Sequence, residues 1–110
     1  MKFKYALEGI YTCLQDKSIR IQCLLGLVTI LFFSFFHLEW IEWMWIIACV
    51  GMVIVLEIIN ICIERICDVY TKEQDERIKK IKDMSAGMVL IGCILSAIIG
   101  ISILIRKLGG

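Results

Sequence analysis

The sequence predicts an all-α integral membrane protein, built from an N-terminal interfacial helix and three transmembrane helices. Of 110 residues, 60% are hydrophobic and the mean hydropathy is +0.86, far above the roughly 45–50% apolar usage of soluble chains. Long apolar runs alternate with short charged segments. A domain this small has too much surface for its volume to hide so much hydrocarbon from water. Lipid is the solvent this composition suits.

Residues 1–18, MKFKYALEGIYTCLQDKS, set Phe3, Ala6, Leu7, Ile10, Cys13 and Leu14 at helical spacing opposite Lys4, Glu8, Tyr11 and Gln15. That pattern predicts an amphipathic helix lying at the membrane surface. The first span covers 19–37. Its eighteen mostly apolar residues, Ile19 to Phe36, are about the shortest stretch able to cross ~30 Å of hydrocarbon as a helix. A second span covers 40–70. Trp40, Trp43 and Trp45 mark its outer edge, because indole rings favour the headgroup boundary. Its far end carries charge and projects beyond the hydrocarbon. Residues 71–82 read as a charged loop and 83–106 as a third span, in which Ser85, Gly92, Ser96 and Gly100 share an arc of about 80°. Small residues on one face predict close helix–helix contact. The chain, 1–110, is a single domain without proline or internal repeat.

Charge sets the orientation. Lys2, Lys4, Lys17 and Arg20 precede or open the first span, Arg65, Lys72, Arg77, Lys79, Lys80 and Lys82 cluster between the later two, and His37–Glu42 has no Lys or Arg. The positive-inside bias then puts the N-terminus and the second loop in the cytoplasm and the 37–40 turn outside. Arg106 and Lys107 argue weakly against the resulting external C-terminus. A net charge near +1 gives no pull toward nucleic acid. No cleavable signal peptide is expected, since the first twenty residues are charged throughout. The six cysteines form no C-x-x-C pair and read as small apolar residues rather than disulfides or zinc ligands.

One stretch resists a purely apolar reading. In VLEIINICIERICD, Val55 to Asp68, the side chains of Glu57, Asn60, Glu64 and Asp68 fall at about 0°, 300°, 340° and 20° on a helix, one narrow stripe. A carboxylate inside a bilayer costs about 2.5 kcal/mol or more and is rare unless it faces a bundle interior and has a function. The bland alternative is a polar packing seam between subunits, with a protonated Glu57 hydrogen-bonded to Asn60. The functional alternative draws on Lys82, Asp83 and Asp16, which converge on the same inner interface. Carboxylate and phosphate oxygens are magnesium ligands, and lysine is a point charge for phosphate. Metal, cation and a carboxylate to accept a hydroxyl proton are the components of phosphoryl transfer. No soluble-kinase signature, neither G-x-x-x-x-G-K-[ST] nor G-x-G-x-x-G, is present.

LEIINICIERICD, followed eighteen residues after Glu64 by KDMSAGMVL, closely resembles the two-part motif of the prokaryotic diacylglycerol kinase family. That motif reads roughly E-[LI]-[LI]-N-x-[AC]-I-E-x-x-x-D, then K-D-x-[AGS]-[AS]-[AG]-x-V. Ala6, Gly9 and Ile10, and Asp16 with Arg20, also have counterparts, so the resemblance covers nearly the whole chain. It implies a small integral membrane lipid kinase, a homotrimeric helical bundle with three spans per subunit and sites shared between neighbours, in a bacterial inner or plasma membrane. ATP would be the co-substrate, with Mg²⁺ as cofactor.

Position by position, the resemblance makes Glu57 the catalytic base that meets the lipid hydroxyl, and Asn60 the group orienting Glu57 or the phosphate. It makes Glu64 a magnesium ligand that also contacts ATP, with Asp16 as its partner ligand. Lys82 is implied at the ATP phosphates, Asp83 beside it, and Tyr5 at the nucleotide. Glu73, Gln74 and Asp75 occupy the loop segment that contacts the nucleotide, and Arg20 joins Glu57 at the lipid substrate. Two departures stand out: Asp16 replaces a glutamate, and its spacing from Gly9 is one residue shorter. Undecaprenol is the favoured acceptor, because the short N-terminus and LEWIEWMWI look like the Gram-positive branch. Diacylglycerol stays open, as does a small multi-span transporter or membrane interaction protein. Small multidrug transporters, however, need four spans and carry their intramembrane glutamate in the first.

Overall fold

Helix ends leave backbone groups unpaired, and each boundary in this chain falls where a turn or a polar side chain takes them up. The computed structural model describes residues 2–71, 73 and 75–109. Its elements are α1 (Lys2–Leu14), α2 (Lys17–Phe33), α3 (Trp40–Tyr70) and α4 (Glu76–Gly109). After Leu14 the chain tightens, with Gln15 N–H donating to the Thr12 carbonyl at 3.2 Å and Asp16 N–H to that of Cys13 at 3.0 Å. Asp16 then caps α2 by accepting from Ser18 N–H at 3.0 Å. The interfacial helix expected through residue 18 thus ends at Leu14, because a competing cap starts a new helix there.

Two further boundaries differ from expectation for local reasons. The first apolar helix, expected to run to 37, closes at Phe33, where Ser34 caps it and donates its hydroxyl to the Leu31 carbonyl at 2.6 Å. Its 17 residues make it about 25 Å long at 1.5 Å per residue. The charged segment 71–82, expected as a loop, is helical from Glu76. Asp75 accepts from Arg77 N–H at 2.8 Å and its carbonyl from Lys79 N–H at 2.9 Å, which nucleates α4 early. The Arg77 guanidinium, 3.2 Å away, holds the Asp75 carboxyl below the usual carboxylate range. Lys82 and Asp83 consequently ride on a helix, in fixed register with the apolar part of α4.

The two long helices form an antiparallel hairpin, since bonds join Asn60 to Ser85 near one end and Glu42 to Lys107 at the other. Small residues let the backbones close in. A methyl group on Gly92 would collide with Leu56, and one on Gly26 of α2 would meet Val50 Cγ1 at 2.6 Å. Buried Phe33, Ile46 and Ile103 form the core, flanked by half-buried Ile30, Phe36, Trp43, Ile99 and Leu104. Trp43 therefore packs inward, while Trp40 and Trp45 stay exposed. Between the three helices lies an apolar groove of about 340 Å³, lined by Gly26, Thr29, Phe33, Val50, Ser96 and Gly100 among others.

α3 and α4 are each long and apolar enough to cross a membrane, yet only 17% and 11% of their most apolar windows are buried. Helices that exposed are not the core of a water-soluble domain, and their outer surface needs lipid or other subunits. α1 has no buried residue at all. Its face of Phe3, Leu7 and Ile10 is open, as an interfacial helix requires. The cysteines are free thiols.

At the end of the hairpin near the 34–39 turn, Glu42 is 3% exposed. Its carboxylate accepts from Glu39 N–H at 2.9 Å and pairs with Lys107 Nζ at 2.9 Å, and Lys107 also donates to the His37 carbonyl at 3.1 Å. The Lys107 charge is thereby neutralised in place. The His37 ring itself is not part of this arrangement.

Two outcomes check this packing. Gly26→Val, which drives a branched side chain into Val50, lowers stability by about 1–3 kcal/mol in detergent unfolding. Gly100→Ala, whose methyl would meet Phe33 Cζ only at 4.0 Å, leaves it unchanged. Lys107→Met lowers the thermal midpoint by stranding the Glu42 carboxylate, and adding Glu42→Gln recovers part of the loss. Equal midpoints for parent, single and double variants would remove the pair from the stabilising contacts.

Candidate active site

The polar stripe of α3 does not present one uniform face. Asn60 is 9% exposed and turned to α4, Glu57 is half-buried, and Glu64 and Asp68 are open. Asn60 makes two bonds of opposite sense: its Oδ1 accepts from the buried Ser85 hydroxyl at 2.7 Å, and its Nδ2 donates to Glu64 Oε1 at 3.4 Å. Among the described residues no hydrogen bond joins Asn60 to Glu57; within the chain the amide contacts Ser85 of α4 and Glu64 instead.

About two helical turns further along α3, the second link between α3 and α4 is ionic. Lys82 Nζ donates to Asp68 Oδ1 at 2.8 Å. That hydrogen-bonded carboxylate holds the Lys82 ammonium above its ordinary pKa, so it stays charged throughout the neutral range. Lys79 pairs with Asp83 at 2.8 Å across one turn of α4. These residues border a cleft of about 580 Å³ at the α3–α4 connection, lined by Asp68, Thr71, Glu73, Asp75, Glu76, Ile78, Lys79, Lys82 and Asp83.

Four of the residues expected at the nucleotide, Glu73, Asp75, Lys82 and Asp83, therefore share one cavity. Gln74 lies outside the described residues. Five carboxylates in that lining face two ammonium groups, and the pairs Lys82–Asp68, Lys79–Asp83 and Arg77–Asp75 neutralise three of them. Acidic side chains thus outnumber basic ones in the lining of this cleft, which disfavours a bare polyanion. Tyr5, on α1, is 69% exposed and is not among the described residues lining it. Arg20 is exposed on the first turn of α2.

Asp16 reaches this region through α3. Besides capping α2, it pairs with Arg65 Nη2 at 3.7 Å, and its charge and that of Glu64 both act on Glu57. Three carboxylates from two helices thus share one neighbourhood. Among the described residues no group of three or more His, Cys, Asp or Glu side chains is arranged to hold a metal ion. Magnesium is commonly bound through one or two carboxylates, with substrate phosphates and water completing the octahedron. The hard oxygens of Glu64 and Asp16 fit that mode, provided Asp16 releases Arg65.

Sequence reasoning missed three contacts: Ser85 to Asn60, Asp68 to Lys82, and Arg65 to Asp16. A signal existed for the first two, because Lys82 and Ser85 are three residues apart and so share a helix face. Their partners required the docking of α4 on α3.

Comparison with known proteins agrees with this arrangement of motifs. The family model for prokaryotic diacylglycerol kinase matches residues 4–104. An undecaprenol kinase of Bacillus subtilis is 38% identical over 72 residues, 66% of this chain and 58% of that protein. A diacylglycerol kinase of Synechocystis sp. is 30% identical over 110 residues, 98% of this chain and 63% of that protein. The chain thus spans about three fifths of the length of the curated relatives it matches. With its two membrane-length apolar helices and a match over nearly all its residues, the chain belongs to the prokaryotic diacylglycerol kinase family.

Proposed function

We propose that the protein is an ATP- and Mg²⁺-dependent lipid kinase that phosphorylates a membrane alcohol, undecaprenol in preference to diacylglycerol. The observation that carries this reading is the juxtaposition on one hairpin of a half-buried carboxylate in an apolar helix and a cleft holding a charged lysine. Glu57 sits on α3 eleven residues from Asp68, about 16 Å along a helix, so the stripe between them leads from the apolar interior to the cleft. A lipid alcohol arrives from the first and a nucleotide from the second.

In this mechanism Lys82 draws the β- and γ-phosphates into the cleft and exchanges its bond to Asp68 for one to phosphate. Glu64 and Asp16 would hold Mg²⁺, which when bound neutralises charge on the phosphate oxygens. Asn60 aims its amide N–H at the oxygens between Glu64 and the incoming phosphate. Glu57 accepts the proton of the lipid hydroxyl as that oxygen bonds to the γ-phosphorus and the bond to ADP breaks. Tyr5, Glu73, Gln74, Asp75 and Asp83 serve the nucleotide, and Arg20 the lipid. Positioning supplies most of the rate, since phosphoryl transfer asks little covalent chemistry of the protein.

The same reading makes α2 a third span, completed by its flanking turns, with α1 and the α3–α4 connection on the cytoplasmic side. The lysines and arginines clustered there support that orientation. It also makes the working unit a homotrimer, which would cover the open carboxylates Glu64 and Asp68 and much of the exposed apolar surface. The preference for undecaprenol draws on the Bacillus subtilis relative's name and on the groove lined from Val53 to Ile46 of α3. That groove lies on the apolar side of Glu57, where a long polyprenyl chain would extend.

Purified protein supplied with ATP, Mg²⁺ and a panel of lipid alcohols is expected to phosphorylate undecaprenol faster than diacylglycerol. Glu57→Gln lowers kcat by about 10²–10⁴-fold, and Glu64→Gln raises the Mg²⁺ requirement. Absence of lipid-dependent ADP release from folded protein overturns the kinase reading, and faster turnover of diacylglycerol reverses the order of acceptors. In the same assay Lys82→Met raises KM for ATP while leaving KM for lipid unchanged. An unaltered KM for ATP would take Lys82 away from the phosphates.

A further inference from the structure

We propose that Ser85 is a positioning residue: its hydroxyl locks the Asn60 amide in the one orientation that commits Nδ2 to Glu64, and so holds Glu64 ready for the metal. The inference rests on the lipid-kinase reading for the role of Glu64, and on this chain's own contacts for the rest.

An asparagine side chain has an acceptor end and a donor end, and nothing intrinsic decides which points where. Here both neighbours decide. On one side Nδ2 donates to Glu64 Oε1, so the amide nitrogen faces Glu64. Oδ1 then faces α4, where it needs a donor in a space without water access. Ser85 is 5% exposed and stands 2.7 Å from Oδ1, and its hydroxyl supplies that donor. The weaker link, Nδ2 to Glu64 Oε1 at 3.4 Å, is thus backed by the stronger one.

The mechanical consequence concerns Glu64. Its side chain is exposed on α3, and an unrestrained glutamate would lose rotamer freedom on binding a cation. Asn60 donates to one of its oxygens, Oε1, on an otherwise exposed side chain. Lys82, on the same face of α4 as Ser85, is bonded to Asp68, so the two cross-helix bonds bracket Glu64 from both sides. Replacing Ser85 by alanine would leave Oδ1 buried without a donor. The amide would then turn in search of one, and Glu64 would be released.

Outer groups that orient metal ligands commonly change affinity by 10–100-fold when removed. The test is Mn²⁺ binding, followed by electron paramagnetic resonance with a non-hydrolysable ATP analogue, on the parent protein and on Ser85→Ala and Ser85→Thr. Ser85→Ala is expected to weaken Mn²⁺ binding about 10-fold, to raise the Mg²⁺ needed for half-maximal turnover in parallel, and to leave KM for lipid unchanged. Ser85→Thr, which keeps the hydroxyl, restores Mn²⁺ affinity. Parent-like Mn²⁺ affinity in Ser85→Ala overturns the proposal. So does a loss in Ser85→Ala that Ser85→Thr fails to restore although its thermal midpoint equals the parent's. A parent protein that binds Mn²⁺ with nucleotide but phosphorylates no lipid alcohol sinks the kinase reading alone, since the Ser85 comparison can still be made.

Discussion

Two polar bonds across the α3–α4 seam, Ser85 to Asn60 and Lys82 to Asp68, govern the rest of the molecule. Apolar surfaces slide and rotate against each other at little cost, and in a bilayer there is scarcely any hydrophobic force to press helices together. A buried hydroxyl facing a buried amide has one good register. Once it is made, Gly92 must lie against Leu56 and the basic turn of α4 must lie beside the acidic end of α3. The pair Glu42–Lys107 sets the same register from the other end.

That register explains how a chain so rich in hydrocarbon tolerates its acids. Glu42 is paired, Asp68 is paired, Asp16 serves as a cap beside Arg65, and Glu64 is tethered to Asn60. Glu57 is the carboxylate of the stripe without such a tie among the described residues. Its neighbours are instead two more carboxylates, those of Glu64 and Asp16. In the proposed chemistry magnesium and Lys82 would supply positive charge beside these acids.

The division of labour along α3 follows from depth. Toward Ile46 the helix packs by shape against α2 and α4, with Phe33 and Ile103 closing the core. Toward Tyr70 it packs by charge, and the cleft at its end is bordered almost wholly by ionisable side chains. The site of interest lies where one regime gives way to the other. A reaction joining a greasy alcohol to a polyphosphate has to be run at such a boundary, because neither substrate dissolves where the other does.

Composition and periodicity were enough to read helices, lipid as solvent, the acidic stripe and the small-residue face of α4, because these depend on 3.6-residue spacing and on transfer free energies that are local in sequence. The stripe motif and K-D pair also sufficed to recognise the family, which the match over residues 4–104 shows. Helix ends were less legible: Asp16 and Asp75 look like site residues in a motif, and only the folded backbone reveals that both also cap helices. What no spacing rule could supply were the contacts of Asn60 with Ser85, Lys82 with Asp68 and Lys107 with Glu42. Those residues stand 25, 14 and, for Lys107 and Glu42, 65 positions apart, and their meeting is decided by how the whole hairpin docks, which is a property of surfaces rather than of any local stretch.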